Sequence, residues 1–244
     1  MTPQLKPIGD CALSVSFGQT ISPDIHRLVR AFQTSLEQQK LPGILETVPA
    51  YCTVTVHYDP VQISFASLCS FVEHILNTMD QIQLPPSMVY EIPVCYGGNM
   101  GPDLPHVADH SHLSEQDVIQ IHTAPDYLIY MLGFTPGFPY LGGMNPAIAT
   151  PRLASPRVSI PAGSVGIAGG QTGIYPLASP GGWNLIGQTP VRLFDPHRNQ
   201  PFLLQPGDYI HFRSISLDEF HAIARQVEGG RFQCPCYQNQ EMDL

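Results

Sequence analysis

Between Gly133 and Pro190 the chain has no Asp, Glu, Lys or His, and Arg152 and Arg157 are its only charges there. The whole 244-residue protein is itself short of charge: acidic and basic residues make up 13%, about half the usual globular share. Its formal net charge of −9 argues against nucleic acid or an anionic membrane surface as a partner. No apolar run reaches the length of a membrane span. The opening MTPQLKPIGD lacks the basic and apolar regions of a signal peptide, so a cytoplasmic protein is expected. A disulfide framework is also missing. Six cysteines are scattered through a chain much larger than disulfide-dense domains. Cys11, Cys52, Cys69 and Cys95 lie in apolar segments and are expected as buried small hydrophobes. The Cys234-Pro-Cys236 pair is too closely spaced for a zinc site, and neither a metal site nor a tightly bound cofactor is expected.

What is present is glycine and proline. The chain holds 21 and 25 of them, and twelve glycines and nine prolines fall between Gly133 and Pro190. Glycine permits left-handed turns and close backbone approach, while proline fixes φ and removes a donor. Disordered linkers are poor in large apolar groups, yet this stretch carries Phe134, Phe138, Tyr140, Ile160, Val165, Ile167, Ile174, Tyr175, Trp183 and Ile186. It is expected to be ordered, built of short strands and tight turns around a neutral, aromatic pocket or partner surface.

Before it, strand and helix signals alternate. Ala12 to Phe17 reads as a strand. Ser22-Pro23 caps a helix whose face carries Ile25, Leu28, Val29, Phe32 and Leu36. Ile44 to Val48 and Thr53 to Tyr58 read as strands, Ser64 opens a second helix, and Tyr90 to Cys95 returns to strand. The order β-α-β-β-α-β, with an extra strand at the start, predicts a ferredoxin-like α+β domain over residues 1–86. Asp103 reads as the cap of a short helix, and Ser114 opens the next, which ends near His122. Short strands and turns from Tyr90 to Arg213 predict a β-barrel over residues 87–215, with strands at Val191 to Phe194 and Pro201 to Leu204. Residues 216–244 read as a capped helix and a loose tail.

Few residues announce chemistry. His106, His110 and His112 surround Asp109, but H-x-x-x-H without a third ligand reads as a solvated helix. The run Gly163 to Gly173 lacks the G-K-[ST] ending of a phosphate loop. Gly163, Ser164, Gly166, Gly169 and Gly170 therefore read either as a phosphate- or partner-facing loop built of backbone N–H groups or as barrel bends. No serine lies in G-x-S-x-G, so Ser159 and Ser164 read as turn or strand residues. Arg152 and Arg157 read either as anion-binding forks in a neutral setting that lacks nearby acids or as surface residues on a Pro-rich loop. Gln171, Thr172, Tyr175 and Trp183 add hydrogen-bonding and stacking capacity suited to a small amide-bearing acid, with Phe134, Phe138 and Tyr140 as lining aromatics. No catalytic residue is assigned.

Several runs are specific enough to compare with known families: Pro93 to Gly98, Gly101 to Leu104, Leu132 to Gly142 (LGFTPGFPYLG), Thr150-Pro-Arg152, Val158 to Ile167 (VSIPAGSVGI), Gln171 to Pro176, Ser179 to Trp183 and Leu193 to Pro196. They resemble the family of KipI and the 5-oxoprolinase B subunits, also called allophanate hydrolase subunit 1, over nearly the whole chain. The resemblance implies a ferredoxin-like domain followed by a cyclophilin-like barrel. It further implies partnership with a C subunit, itself a related barrel protein, and a LamB/YcsF-type A subunit, which together open 5-oxoproline to glutamate with ATP, and Mg beside it, as co-substrate. KipI-type members imply an alternative, inhibition of a sensor histidine kinase by docking. The resemblance supplies no catalytic residue.

Overall fold

The computed structural model describes residues 3–79 and 82–239. The chain divides into two compact units, Met1–Pro86 and Ser87–Leu244.

In the first unit β1 (Gln4–Ile8) and β2 (Ala12–Ser16) form a hairpin, followed by α1 (Pro23–Gln39), β3 (Ile44–Pro49), β4 (Thr53–Tyr58) and α2 (Phe65–Thr78). Helix α1 starts where expected: the Ser22 side chain accepts from the Ile25 N–H, and Pro23 occupies a first-turn position that needs no donor. Val29, Phe32 and Leu36 of α1 and Leu68, Val72 and Ile75 of α2 bury against Leu13, Val15, Val54 and Val56. The four strands order β1-β2-β4-β3, every neighbouring pair antiparallel. This corrects the ferredoxin-like reading. The edge place beside β2, which a strand after the second helix would fill, is taken by β1 from the opposite end of the sequence. The segment expected to fill it belongs to the second unit.

That segment is β5 (Met88–Tyr96), the longest strand and the backbone of the barrel. It pairs in parallel with β13 (Tyr209–Ser214) on one side. On the other it pairs with β14 (Cys236–Gln238) through Met88 to Tyr90 and with β12 (Asn184–Gln188) through Cys95 and Tyr96. Pro93 falls in the gap between those two partners, where no amide donor is required. The main sheet runs β10 (Gln171–Ile174), β9 (Ser164–Ala168), β12, β5, β13, β6 (Asp126–Leu132), β7 (Pro139–Gly142). Its end strands β10 and β7 lie side by side without a ladder, so the barrel is nearly closed. Inside it, Ile92, Val94, Ile129, Ile167, Ile174, Ile186 and Phe212 pack against Leu104 and Val107 of α3 (Leu104–Ser111) and Val118 of α4 (Glu115–Thr123). A separate ribbon, β8 (Arg157–Ile160) with β11 (Ser179–Gly181), covers part of the outer face.

Other expectations needed correcting. Val191 to Phe194 and Pro201 to Leu204 form one isolated bridge, Phe194 to Phe202, rather than strands; four prolines between 190 and 206 cannot donate to a ladder. Of the four cysteines expected as buried, only Cys95 is; Cys11 is exposed and Cys52 and Cys69 are half-buried. The segment after Gly230, expected as a loose tail, supplies β14. Before it, α5 (Leu217–Glu228) buries Phe220 and Ile223 against Cys95 and Ile215. The tail's last five residues, 240–244, lie outside the described residues.

Close backbone approach decides one glycine outright. A Cβ on Gly101 would fall onto the carbonyl of Ile186 in β12. Gly101→Ala is therefore expected to cost about 3 kcal/mol or more, lowering Tm, whereas Gly170→Ala, which faces open space, should change Tm little. Equal melting temperatures in the two variants would contradict this packing.

Candidate functional site

Strand alternation sorts the candidate residues onto two faces of the barrel wall. Gly173 and Tyr175 point outward, Thr172 and Ile174 inward. The outward face carries a set of tilted and edge-on aromatic rings. Phe138 sits 5.3 Å from Tyr140, 5.5 Å from Tyr175 and 5.6 Å from Trp183, centroid to centroid. Phe134 stacks edge-on to Phe138 at 5.7 Å. These separations suit favourable aromatic pairs. Gly173 lets the rings close across the barrel seam, since a Cβ there would lie 3.0 Å from the Phe138 ring and 3.3 Å from Trp183. The result is a packed cluster rather than an open pocket: Phe138, Tyr175 and Trp183 are all buried. Gln171 shares the outward direction by its place in β10 and is half-buried.

Arg157 stands at the rim of this cluster, and its setting overturns one expectation. The absence of acids from 133–190 does not leave it without a partner. Its Nη2 donates to Asp103 Oδ1 at 2.7 Å, and its Nη1 donates to the Trp183 carbonyl at 3.4 Å. The other Asp103 oxygen accepts the Leu185 N–H at 2.7 Å, while the Asp103 N–H donates to the Leu185 carbonyl at 2.9 Å. Asp103 sits at the N-cap of α3 but makes no side-chain cap bond; its carboxylate is spent on β12 and Arg157 instead. A local capping pattern cannot reveal a partner 54 residues away.

Arg152 differs. It lies on the strap from Thr150 to Pro156, which is pinned at several points. Thr150 and Gly169 exchange backbone bonds at 3.2 and 2.7 Å, Asn184 Nδ2 donates to the Pro151 carbonyl at 2.8 Å, and the Leu153 N–H donates to the Gly182 carbonyl at 2.8 Å. Between these anchors Arg152 is exposed. Among the described residues no carboxylate comes within ion-pair distance of it. Both arginines act on the Tyr175 hydroxyl. Burial pushes that hydroxyl above its ordinary range, against the opposing pull of Arg152, the Trp183 N–H and Arg157.

The glycine run is spent largely on construction. Gly169 and Gly170 make the two-residue turn of the β9–β10 hairpin, with Gly169 at φ +58, as the handedness of tight hairpins demands. Gly163, at φ +82, donates to the Tyr175 carbonyl at 2.7 Å. Gly166 lies in mid-strand against Trp183, and Ser164 is buried. The Gly169–Gly170 tip faces open space and is the part of the run that can meet a phosphate or a partner.

Thr172 does not join the outward set. Its hydroxyl donates to the Gly166 carbonyl at 3.0 Å, which commits its one proton. It must therefore accept from His122 Nε2, 2.8 Å away, which leaves His122 Nδ1 to accept from the Tyr96 hydroxyl at 2.8 Å. His122 is wholly buried and neutral, burial holding it down to about 3, and Phe212 stacks on it at 4.6 Å. No motif announces this network; the one available signal is that His122 lies four residues after Val118, on the apolar face of α4. His106 and His110 stand 6.5 Å apart between ring centroids, and among the described residues no three His, Cys, Asp or Glu side chains converge on a metal position. Two cavities, of about 590 and 670 Å³, lie elsewhere, one beside α1 and β3 and one between the end of α4 and the turn at Pro146.

Comparison with known proteins agrees with this architecture. The family model for the carboxyltransferase domain, subdomains C and D, matches residues 3–204. The B subunit of 5-oxoprolinase from Bacillus subtilis is 46% identical over 233 residues, covering 91% of this chain and 97% of that protein. A crystal structure of TTHA0988 is 42% identical with a TM-score of 0.76, over 84% of this chain. This chain spans 40% of the TTHA0988 chain. The urea amidolyase of K. lactis shares the fold at 20% identity, with a TM-score of 0.77 over 97% of this chain and 16% of that one. The chain belongs to the carboxyltransferase subdomain C and D family and, within it, to the 5-oxoprolinase B subunits. Among the described residues no helix is long and apolar enough to cross a membrane.

Two outcomes follow from these contacts. Unfolded histidine takes its proton near 6.5, while folded His122 resists it down to about 3. The stability due to neutral His122 is thus complete above 6.5 and falls as pH drops toward 3. Unfolding at pH 7, 6 and 5 should show this decline, and His122→Gln should flatten it. His26 in the first unit, held down to about 4 by burial and by Arg30, adds a slope of the same sign. Arg157→Ala strands the Asp103 carboxylate and should cost about 1–3 kcal/mol, whereas Arg152→Ala should leave Tm unchanged.

Proposed function

We propose that this chain is the B subunit of an ATP-dependent 5-oxoprolinase that opens 5-oxo-L-proline to L-glutamate and works only when joined to A and C subunits. The observation that carries this reading is near-full-length identity of 46% to a protein named as the B subunit of 5-oxoprolinase. The exposed Arg152 beside a neutral aromatic surface supports it, since the substrate is a small lactam bearing a carboxylate.

The lactam carbonyl is a poor electrophile. Transfer of the γ-phosphoryl group of ATP to its oxygen activates the carbon. Water adds there, the ring C–N bond breaks as nitrogen takes a proton, and a second water hydrolyses the resulting acyl phosphate to glutamate and phosphate. ATP and its Mg ion are co-substrates of the assembled enzyme. The contribution we assign to this chain is electrostatic and positional. The Arg152 guanidinium anchors the substrate carboxylate, Gln171 and the half-buried Tyr140 ring at the edge of the aromatic cluster orient the lactam, and exclusion of water strengthens the charge contacts. Arg157, already bound to Asp103, holds the ribbon beside them.

Omitting this chain from the three reconstituted subunits should abolish 5-oxoproline-dependent ATP hydrolysis; full activity without it would end the proposal. In the assembled enzyme Arg152→Lys should lower kcat/KM for 5-oxoproline by roughly tenfold or more, because an ammonium cannot reproduce the guanidinium fork, with Tm unchanged. Wild-type kinetics in that variant would remove Arg152 from the site.

A further inference from the structure

Arg152 sits between two peptide planes, and hydrogen bonds hold both. The Pro151 carbonyl shares its planar peptide with the Arg152 nitrogen, and it accepts from Asn184 Nδ2 at 2.8 Å. The Leu153 N–H shares the next plane with the Arg152 carbonyl, and it donates to the Gly182 carbonyl at 2.8 Å. With a plane fixed on each side, φ and ψ of Arg152 are set, and so is the direction in which its Cα–Cβ bond leaves the strap. Gly182 contributes backbone alone. Asn184 contributes a side chain, which a substitution can remove.

The amide of Asn184 is out of character for a barrel wall. The residue is 0% exposed. Its Nδ2 faces two carbonyl oxygens, of Pro151 at 2.8 Å and of Ile167 in β9 at 3.1 Å. Only an NH2 group can face two acceptors, so the amide is oriented one way. That orientation leaves Oδ1 buried without a hydrogen-bond partner among the described residues. A buried acceptor left unpaired costs stability, and an apolar side chain of similar size would avoid the cost. The fold bears it for two donors, one spent within the wall and one that reaches the strap.

We infer that Asn184 is a positioning residue for Arg152: by tying the Pro151 carbonyl to the barrel wall, it aims the guanidinium at the substrate carboxylate before substrate arrives. The inference rests on the role proposed above for Arg152. A long exposed side chain has much rotamer freedom to lose on binding, and fixing its backbone in advance reduces what binding must still order. A misplacement of about 1 Å is enough to cost roughly a hundredfold in rate.

The test uses the full chain, alone and assembled with its A and C subunits. In the wild-type chain alone, the Leu153 amide should exchange its hydrogen at least about tenfold more slowly than an unstructured amide. Asn184→Ala should raise that rate toward the unstructured one while the amides of β12 keep theirs. In the assembled enzyme the same variant should lower kcat/KM for 5-oxoproline roughly tenfold, mostly through KM, as loss of ground-state binding does. In an Arg152→Ala background it should cost nothing further, since the group it positions is gone. A merely structural residue would lower activity equally in both backgrounds. Asn184→Ser, too short to reach both carbonyls, carries the same expectations if the alanine variant does not fold. Equal losses in the two backgrounds overturn the inference, as does wild-type kcat/KM in Asn184→Ala beside an impaired Arg152→Lys, or a Leu153 amide that exchanges freely in the wild-type chain. Each of these leaves the proposed function standing. Wild-type kinetics in Arg152→Lys removes the anchor and the inference with it, and full activity without this chain overturns both.

Discussion

The Asp103 carboxylate holds together elements that are far apart in sequence. With one oxygen it takes the Leu185 N–H of β12, and with the other it takes Arg157 at the start of β8. Its position ahead of α3 ties the helix inside the barrel to both. The carboxylate is largely buried, with a side-chain exposure of 13%, and an anion so placed is tolerable only when paired and hydrogen-bonded. An additional acid in the stretch from 133 to 190 would compete for the same guanidinium or leave a second charge to be compensated. The acid-free composition is therefore a condition for this single pairing to be unambiguous. The neighbouring glycine contributes as well, because Gly101 lets the chain lie directly on the Ile186 carbonyl and brings Asp103 within reach.

The barrel wall then keeps two kinds of chemistry apart. Inward, Thr172, His122 and Tyr96 form a chain in which every proton is assigned, and a neutral imidazole is stable because both ring nitrogens are occupied. Such a network orients α4 against the wall without bringing a charge into the core. Outward, the rings of Phe138, Tyr175 and Trp183 cover the same strands, and the Tyr175 hydroxyl is kept protonated by burial. The seam between β7 and β10 depends on this outer cluster, since ring packing there takes the place of a ladder.

Local patterns are legible where local physics decides. The Ser22-Pro23 start of α1, the Ser114 and Ser216 caps and the alternation of Thr53 to Tyr58 all arise from neighbours in sequence, and the unusual composition of 133–190 marks the outer cluster. Long-range choices are not legible. Whether β1 or β5 completes the first sheet depends on which edge each meets, and both carry ordinary strand patterns. The strands expected near Val191 and Pro201 fail because prolines remove the donors a ladder needs. Proximity in sequence groups Thr172 with Gln171 and Tyr175, although alternation in β10 sends it to the opposite face, and His122 gives no signal beyond its place on the buried side of α4. Asp103 looks like a helix cap because its true partners are 54 and 82 residues away.

The two arginines of the acid-free stretch differ in whether their charge is matched within this chain. Arg157 has its charge matched inside this chain, and its energetic role is complete on folding. Arg152 is held by a pinned strap yet faces water, where a guanidinium interacts only weakly with an anion because solvent screens it. Its attraction for a carboxylate rises steeply once another surface covers the strap and lowers the local dielectric. A cation positioned in advance but left in solvent is therefore inexpensive in the free chain, and under the proposed function its pull on a substrate carboxylate would strengthen only once a second surface covered the strap.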